Sequence, residues 1–178
     1  MPTARDNALN NAPLLEWEVS EWFNHEGLTP EDLQGKVVLI EVFQMLCPGC
    51  VNHSIPQAVK IHHKIDDSQL QVIGLHSVFE HHDVMTPEAL KVFLSEFGVK
   101  FPVAVDKPRE GQRIPATMKK YRLEGHRPRS WWIARDVSVR WSSARSMTSC
   151  WGCSSAACCL KETKTPRAHA PSAPHRRW

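Results

Sequence analysis

The sequence has little that would carry it into or across a membrane. Its opening stretch MPTARDNALNNAPLLEWEV holds neither a basic segment nor an apolar run of about seven residues, so no secretory signal is read there. No stretch reaches membrane-spanning length. These absences predict a cytoplasmic address with no membrane partner. No internal repeat is visible, and 178 residues with 42% apolar content suit one globular domain with its own core and leave little for a second. Basic residues and tryptophans after Arg127 form no groove-reading motif or helical stripe, which argues against a nucleic-acid partner.

Net charge is only +3, but it is unevenly spread. From His126 onward ten Lys and Arg stand against Asp136 and Glu162, a net +8, whereas residues 1–125 carry −5. Four of the six cysteines and five of the seven tryptophans also follow Gly125. The chain therefore divides into residues 1–125 and an atypical basic tail, 126–178. Beyond Leu160 the tail KETKTPRAHAPSAPHRRW is rich in Pro and Arg with almost nothing to bury, and disorder is expected.

Residues 1–125 read as alternating strands and helices. Lys36 to Phe43 (KVVLIEVF) is an apolar, β-branched run after Gly35, as expected of a strand buried on both faces. After Pro48-Gly49, apolar residues from Val51 to Ile65 recur near helical spacing, predicting a helix from the cysteine motif to about Asp66, kinked at Pro56. Leu70 to Leu75 is a second strand. Thr86-Pro87 opens another helix with Thr86 as N-cap, and Gly98 stops it. Phe101 to Val105 is a third strand, and Ala116 to Leu123 a further helix. The alternation predicts an α/β fold with a largely parallel start.

Between the first strand and its helix lies Cys47-Pro-Gly-Cys50. A redox dithiol needs one sulfur that ionises near neutral pH and a second within reach of it. A helix start favours the anion through its unpaired N–H groups, and a two-residue gap brings the second sulfur round one turn later. Pro48 suits a first turn because it has no N–H, and Gly49 permits tight packing. Two packed thiols or half a zinc site are the alternatives. Cys150-Trp-Gly-Cys153 lies about a hundred residues away, far beyond ribbon spacing, so the zinc idea is weak and no metal is expected. His53, His62, His63, His76, His81 and His82 with Asp83 read as solvated surface residues, because no i, i+4 pair sits beside an acid.

GKVVLIEVFQMLCPGC, the helical Pro56, QVIGL and FGVKFPVAVD together resemble the thioredoxin-like proteins of the TlpA and redoxin group, over about Trp22 to Gly125. The resemblance implies a thioredoxin-like fold and thiol-disulfide oxidoreductase activity without a cofactor. Cys47 would be the nucleophile and Cys50 the resolving thiol, with disulfide substrates and a thiol reductant as partners. Glu41, six residues before Cys47, matches the buried acid that thioredoxins keep behind their pair. There it would take the proton from Cys50; pairing with a lysine at a sheet end is the alternative. Leu46 stands where a Trp is common. A redoxin-type peroxidase would also use Cys47, but Phe43-Gln-Met-Leu46 lacks the Thr or Pro such enzymes place before it. A non-catalytic scaffold is a third possibility.

After Tyr121 to Gly125 the family pattern continues with Thr-Pro, an apolar strand and Asp, and this chain has HRPRSWWIARDVSVRW instead. The genetic code offers an account. Trp131-Trp132-Ile133 is TGG TGG ATH, and read from the last base of the preceding codon it gives an apolar residue, Val and Asp. One base lost after the Gly125 codon permits Gly-Thr-Pro, two small and two apolar residues, then Val-Asp. The expectation is a fold left incomplete at its C-terminal end, without strand-turn-strand beyond Gly125. Trp131 to Ile133 is the exception, expected to add a short strand beside Phe101 to Val105.

Overall fold

In a computed structural model, residues 17–29, 31–121, 129–134 and 138–143 are described. Six strands form one sheet: β1 (Val19–Phe23), β2 (Val37–Phe43), β3 (Leu70–His76), β4 (Val103–Asp106), β5 (Arg129–Ala134) and β6 (Ser138–Ser143). Their order is β1-β4-β3-β2-β5-β6. The β2–β3 and β3–β4 pairs are parallel, and the other three pairs are antiparallel. Parallel neighbours need crossover helices, and two supply them: α1 (Ile55–Lys64) and α2 (Pro87–Glu96). A short α3 (Ala116–Lys120) follows β4.

The central strands β2, β3 and β4 are buried on both faces. Val37, Leu39 and Phe43 of β2, with Leu70 and Val72 of β3, pack under Ile55, Ala58 and Ile61 of α1 and Leu90 and Leu94 of α2. Val38, Ile40, Ile73, Leu75 and Ala104 face the other way, against Leu33, Met118 and Tyr121. That two-sided burial is why KVVLIEVF runs apolar rather than alternating. Gly74 is fixed by close approach, since a Cβ there would lie 2.9 Å from Val103 and 3.2 Å from Phe43 and Phe101.

Local signals act where the sequence placed them. The Thr86 hydroxyl accepts the Ala89 N–H at 3.3 Å, and Pro87 opens α2. Gly98, at φ +63°, carries the chain out of it. Pro56 produces a wide turn rather than a sharp kink. Pro48 and Gly49 are already helical, Cys50–Ser54 forms a π-turn in which the Ile55 N–H reaches the Cys50 carbonyl, and α1 follows. A proline has no N–H for the preceding turn, and one inserted residue accommodates that loss.

Three expectations are corrected. A strand pair does form beyond Gly125, as β5 and β6. Trp131–Ile133 lies beside β2, with Leu39 opposite Trp132, and not beside β4, whose outer edge is taken by β1. His76 is a core residue, 1% exposed, because it ends β3 on the Phe43 face and its ring meets Phe43 at 5.3 Å. The proposed Pro-rich tail and Cys150 and Cys153 lie outside the described residues. So does the end of the helix expected to reach Leu123.

Burial holds the His76 imidazole down at about 4, against an ordinary 6.5, and its Nε2 makes no hydrogen bond. The unfolded chain therefore takes up the proton first as pH falls. Stability should drop between pH 6.5 and 4 by up to about 3 kcal/mol from this group and then level off. Urea unfolding at pH 7 and pH 4.5 reads the loss, and His76→Leu should flatten that part of the slope even where the variant is less stable overall.

Candidate active site

β2 delivers the chain to the C-terminal end of the sheet and releases it at Phe43. The Gln44 carbonyl then accepts the Cys47 N–H at 3.2 Å, closing a turn over Met45 and Leu46. Met45 points into the core, whereas Leu46 is 57% exposed. Cys47 sits half-buried where the helix begins, and its carbonyl accepts the Val51 N–H at 3.0 Å. One turn on, the Cys50 N–H donates to the Cys47 Sγ at 3.4 Å. Cys50 itself is only 3% exposed, packed among Phe43, Ile55 and Ala58. Both cysteines are thiols.

The two sulfurs are therefore unequal. Burial pushes the Cys50 thiol far above its ordinary range, and the adjacent Cys47 and the Glu41 charge push it further; a backbone hydrogen bond from Gln44 opposes them. Glu41 is 1% exposed and sits mid-ladder between Gly74 of β3 and Ser130 of β5, well inside the sheet rather than at its end. It shares a face with Leu39 and Phe43, the face over which Cys50 packs. The structure thus gathers Cys47, Cys50 and Glu41 at one place. Among the described residues no group of three or more His, Cys, Asp or Glu is arranged to hold a metal ion.

Two further features at the C-terminal end of the parallel strands were not read from the sequence. The Gln44 side chain, 5% exposed, accepts the Phe79 N–H at 3.3 Å. Asp106, at the end of β4, accepts the Ser77 hydroxyl at 2.8 Å and the Thr117 and Met118 N–H groups at 2.7 and 2.9 Å. Burial raises the Asp106 carboxyl and those donors lower it. Asp106 thereby caps α3 from a distance, because Pro115 supplies no side-chain cap. No local motif marks either contact, since each partner is at least 11 residues away.

This arrangement of strand, Cys-Pro-Gly-Cys and helix is that of a thioredoxin-like protein, and comparison with known proteins agrees. A crystal structure of a thiol-disulfide isomerase from Corynebacterium glutamicum is 74% identical, covering 74% of this chain and 85% of that one, with a TM-score of 0.70. A thioredoxin-like superfamily protein is 45% identical over 72% of this chain and 83% of its own, with a TM-score of 0.68. Among curated proteins, ResA of Bacillus anthracis, a thiol-disulfide oxidoreductase, is 31% identical over 109 residues, and DipZ of Mycobacterium tuberculosis 33% over 91. The matched region spans 55% of ResA and 13% of DipZ, and 61% and 49% of this chain. No family model matches the chain. The chain belongs to the TlpA/redoxin-like thioredoxin-fold family.

The inequality of the sulfurs has a direct readout. Under native conditions at neutral pH, iodoacetamide should modify Cys47 at least roughly tenfold faster than Cys50, because one thiol is reachable and the other is buried and held protonated. Peptide mass mapping after timed quenching separates the two sites. Equal labelling would contradict the geometry.

Proposed function

We propose that this chain is a dithiol oxidoreductase in which Cys47 attacks, Cys50 resolves and Glu41 takes the resolving proton. The Cys47 thiolate attacks one sulfur of a substrate disulfide, forming a mixed disulfide and expelling the other sulfur as a thiolate. Cys50 then attacks the Cys47 Sγ, its proton passing to Glu41, and the second substrate sulfur leaves. The substrate gains two electrons, and Cys47 and Cys50 end as a disulfide that an external thiol reductant restores. The observation carrying this reading is the stacking of the two sulfurs, one half-exposed and accepting an N–H, the other sealed 3% exposed beneath it. Protein and small-molecule disulfides are the substrate class. Leu46, exposed beside Cys47, gives the substrate-facing side an apolar contact.

Location and reading frame belong to the same proposal. No helix among the described residues is long and apolar enough to cross a membrane, and the proposed address is the cytoplasm, where a close cysteine pair is more often catalytic than structural. We also propose that residues 126–178 are written in a shifted frame, supported by the abrupt change in charge, Cys and Trp at Gly125. Sequencing the gene across the Gly125 codon tests it, and an intact, base-for-base match to the present frame would end the idea.

Activity is tested with the two cysteine variants. Cys47→Ser should abolish reduction of a disulfide substrate, and Cys50→Ser should accumulate a mixed disulfide on Cys47, visible as an added substrate mass that dithiothreitol removes. Glu41→Gln should slow the resolving step by roughly tenfold to a hundredfold. Turnover of peroxide by Cys50→Ser with no disulfide reduction by the wild type would instead identify a peroxidase.

A further inference from the structure

Gln44 touches the dithiol turn and its surroundings at several points, although it is neither a nucleophile nor an acid. Its carbonyl accepts the Cys47 N–H at 3.2 Å, and its side-chain Oε1 accepts the Phe79 N–H at 3.3 Å across 35 residues of sequence. At 5% exposure, that side chain has little water to replace a lost partner. Phe79 lies in the segment leaving β3, which is held at three other points. The Ser77 N–H reaches the Phe43 carbonyl at 3.1 Å, and the Ser77 hydroxyl reaches Asp106. Arg113 Nε donates to the Phe79 carbonyl at 3.3 Å. Two residues past Phe79, His81 adopts φ +52°, the left-handed region that histidine enters more readily than most non-glycine residues.

We infer that the Gln44 side chain is a positioning residue for the dithiol: by accepting the Phe79 N–H it ties the segment after β3 to the turn that carries Cys47. The inference rests on the dithiol reading proposed above. Its physical content is one of effective concentration. The Gln44 backbone closes the turn that sets Cys47 over Cys50, and the side chain anchors that backbone sideways to a neighbouring strand end. Without the anchor the turn has more freedom, the two sulfurs spend less time in bonding geometry, and the Cys47–Cys50 disulfide becomes less favourable relative to the dithiol.

The test uses the full chain and two variants. Gln44→Met keeps length and burial but loses the acceptor, and Gln44→Glu restores an acceptor oxygen at the same reach. In Gln44→Met, amide exchange at Phe79 should speed by on the order of fivefold, the factor that one hydrogen bond supports, while Val38 and Leu39 remain protected as in the wild type. The equilibrium of the Cys47–Cys50 pair with glutathione, read by mass mapping of that peptide, should shift toward the dithiol by about threefold or more. Gln44→Glu should return Phe79 protection to within about twofold of wild type. A Gln44→Met chain with wild-type exchange at Phe79, or with an unshifted glutathione equilibrium, overturns the inference. So does a uniform loss of protection that includes Val38 and Leu39, which would mark Gln44 as a general stabiliser. A wild-type chain that forms no Cys47–Cys50 disulfide with glutathione defeats the dithiol reading itself, and the positioning role with it.

Discussion

Everything at this site depends on the burial of β2 on both faces and both edges. A strand with β3 on one side, β5 on the other and apolar layers above and below has no freedom to slide, because a one-residue slip would turn its whole apolar set to the wrong face. Its C-terminal end is therefore a fixed point. The parallel ladder with β3 runs from Val37 opposite Leu70 to Phe43 opposite His76, and the chain must turn immediately afterwards. Cys47 occupies the first helical start available to a chain leaving that point. The same two-sided burial makes Glu41 exceptional. A carboxylate in the middle of such a strand costs free energy wherever it is charged, and its charge is felt by Cys50 just above the sheet.

The elements legible in the sequence are those whose signal is local. β2, β3, α2 and the N-cap Thr86 follow from apolar run length, helical spacing and a single hydroxyl, and each lies within a residue or two of where those signals place it. The cysteine pair and Glu41 were legible through spacing and family pattern. What was not legible depends on distant partners. The π-turn at Cys50–Ser54 arises from how a helix absorbs Pro56 while already committed at Pro48, which residue identity alone does not decide. His76 shares its residue type with the exposed His81 and His82, and only its place on β3 buries it. Gln44 reads as an ordinary polar residue until the segment after β3 is brought against it.

The strand pair after Gly125 shows a different limit. Apolar runs broken by Arg129 and Arg135 argue against strands as long as side chains are the criterion. Antiparallel pairing is made by backbone N–H and carbonyl groups, which every residue but proline supplies, and β2 would otherwise expose an unpaired edge. β4 had no edge to offer, because β1 pairs along it from Val19 to Phe23. The sheet thus accepts β5 at the one inner strand that needs a neighbour. Backbone pairing of this kind forms in either reading frame, so the codons decide between the two.

In the mechanism proposed above, the asymmetry of the two thiols also sets the order of events. If Cys50 ionised readily, it would attack Cys47 of any mixed disulfide at once, and it would also stand as a charged nucleophile in a buried position that substrates do not reach. Burial prevents the second by keeping Cys50 a thiol in the resting dithiol. Forming the proposed mixed disulfide takes the Cys47 sulfur out of the groups that oppose ionisation of Cys50. Burial and the Glu41 charge still oppose it, and the charge is removed in the proposed step in which Glu41 receives the proton. In that mechanism burial holds the resolving thiol protonated before substrate binds, the Glu41 charge adds to the hold, and the same carboxylate is the proposed acceptor of the proton afterwards.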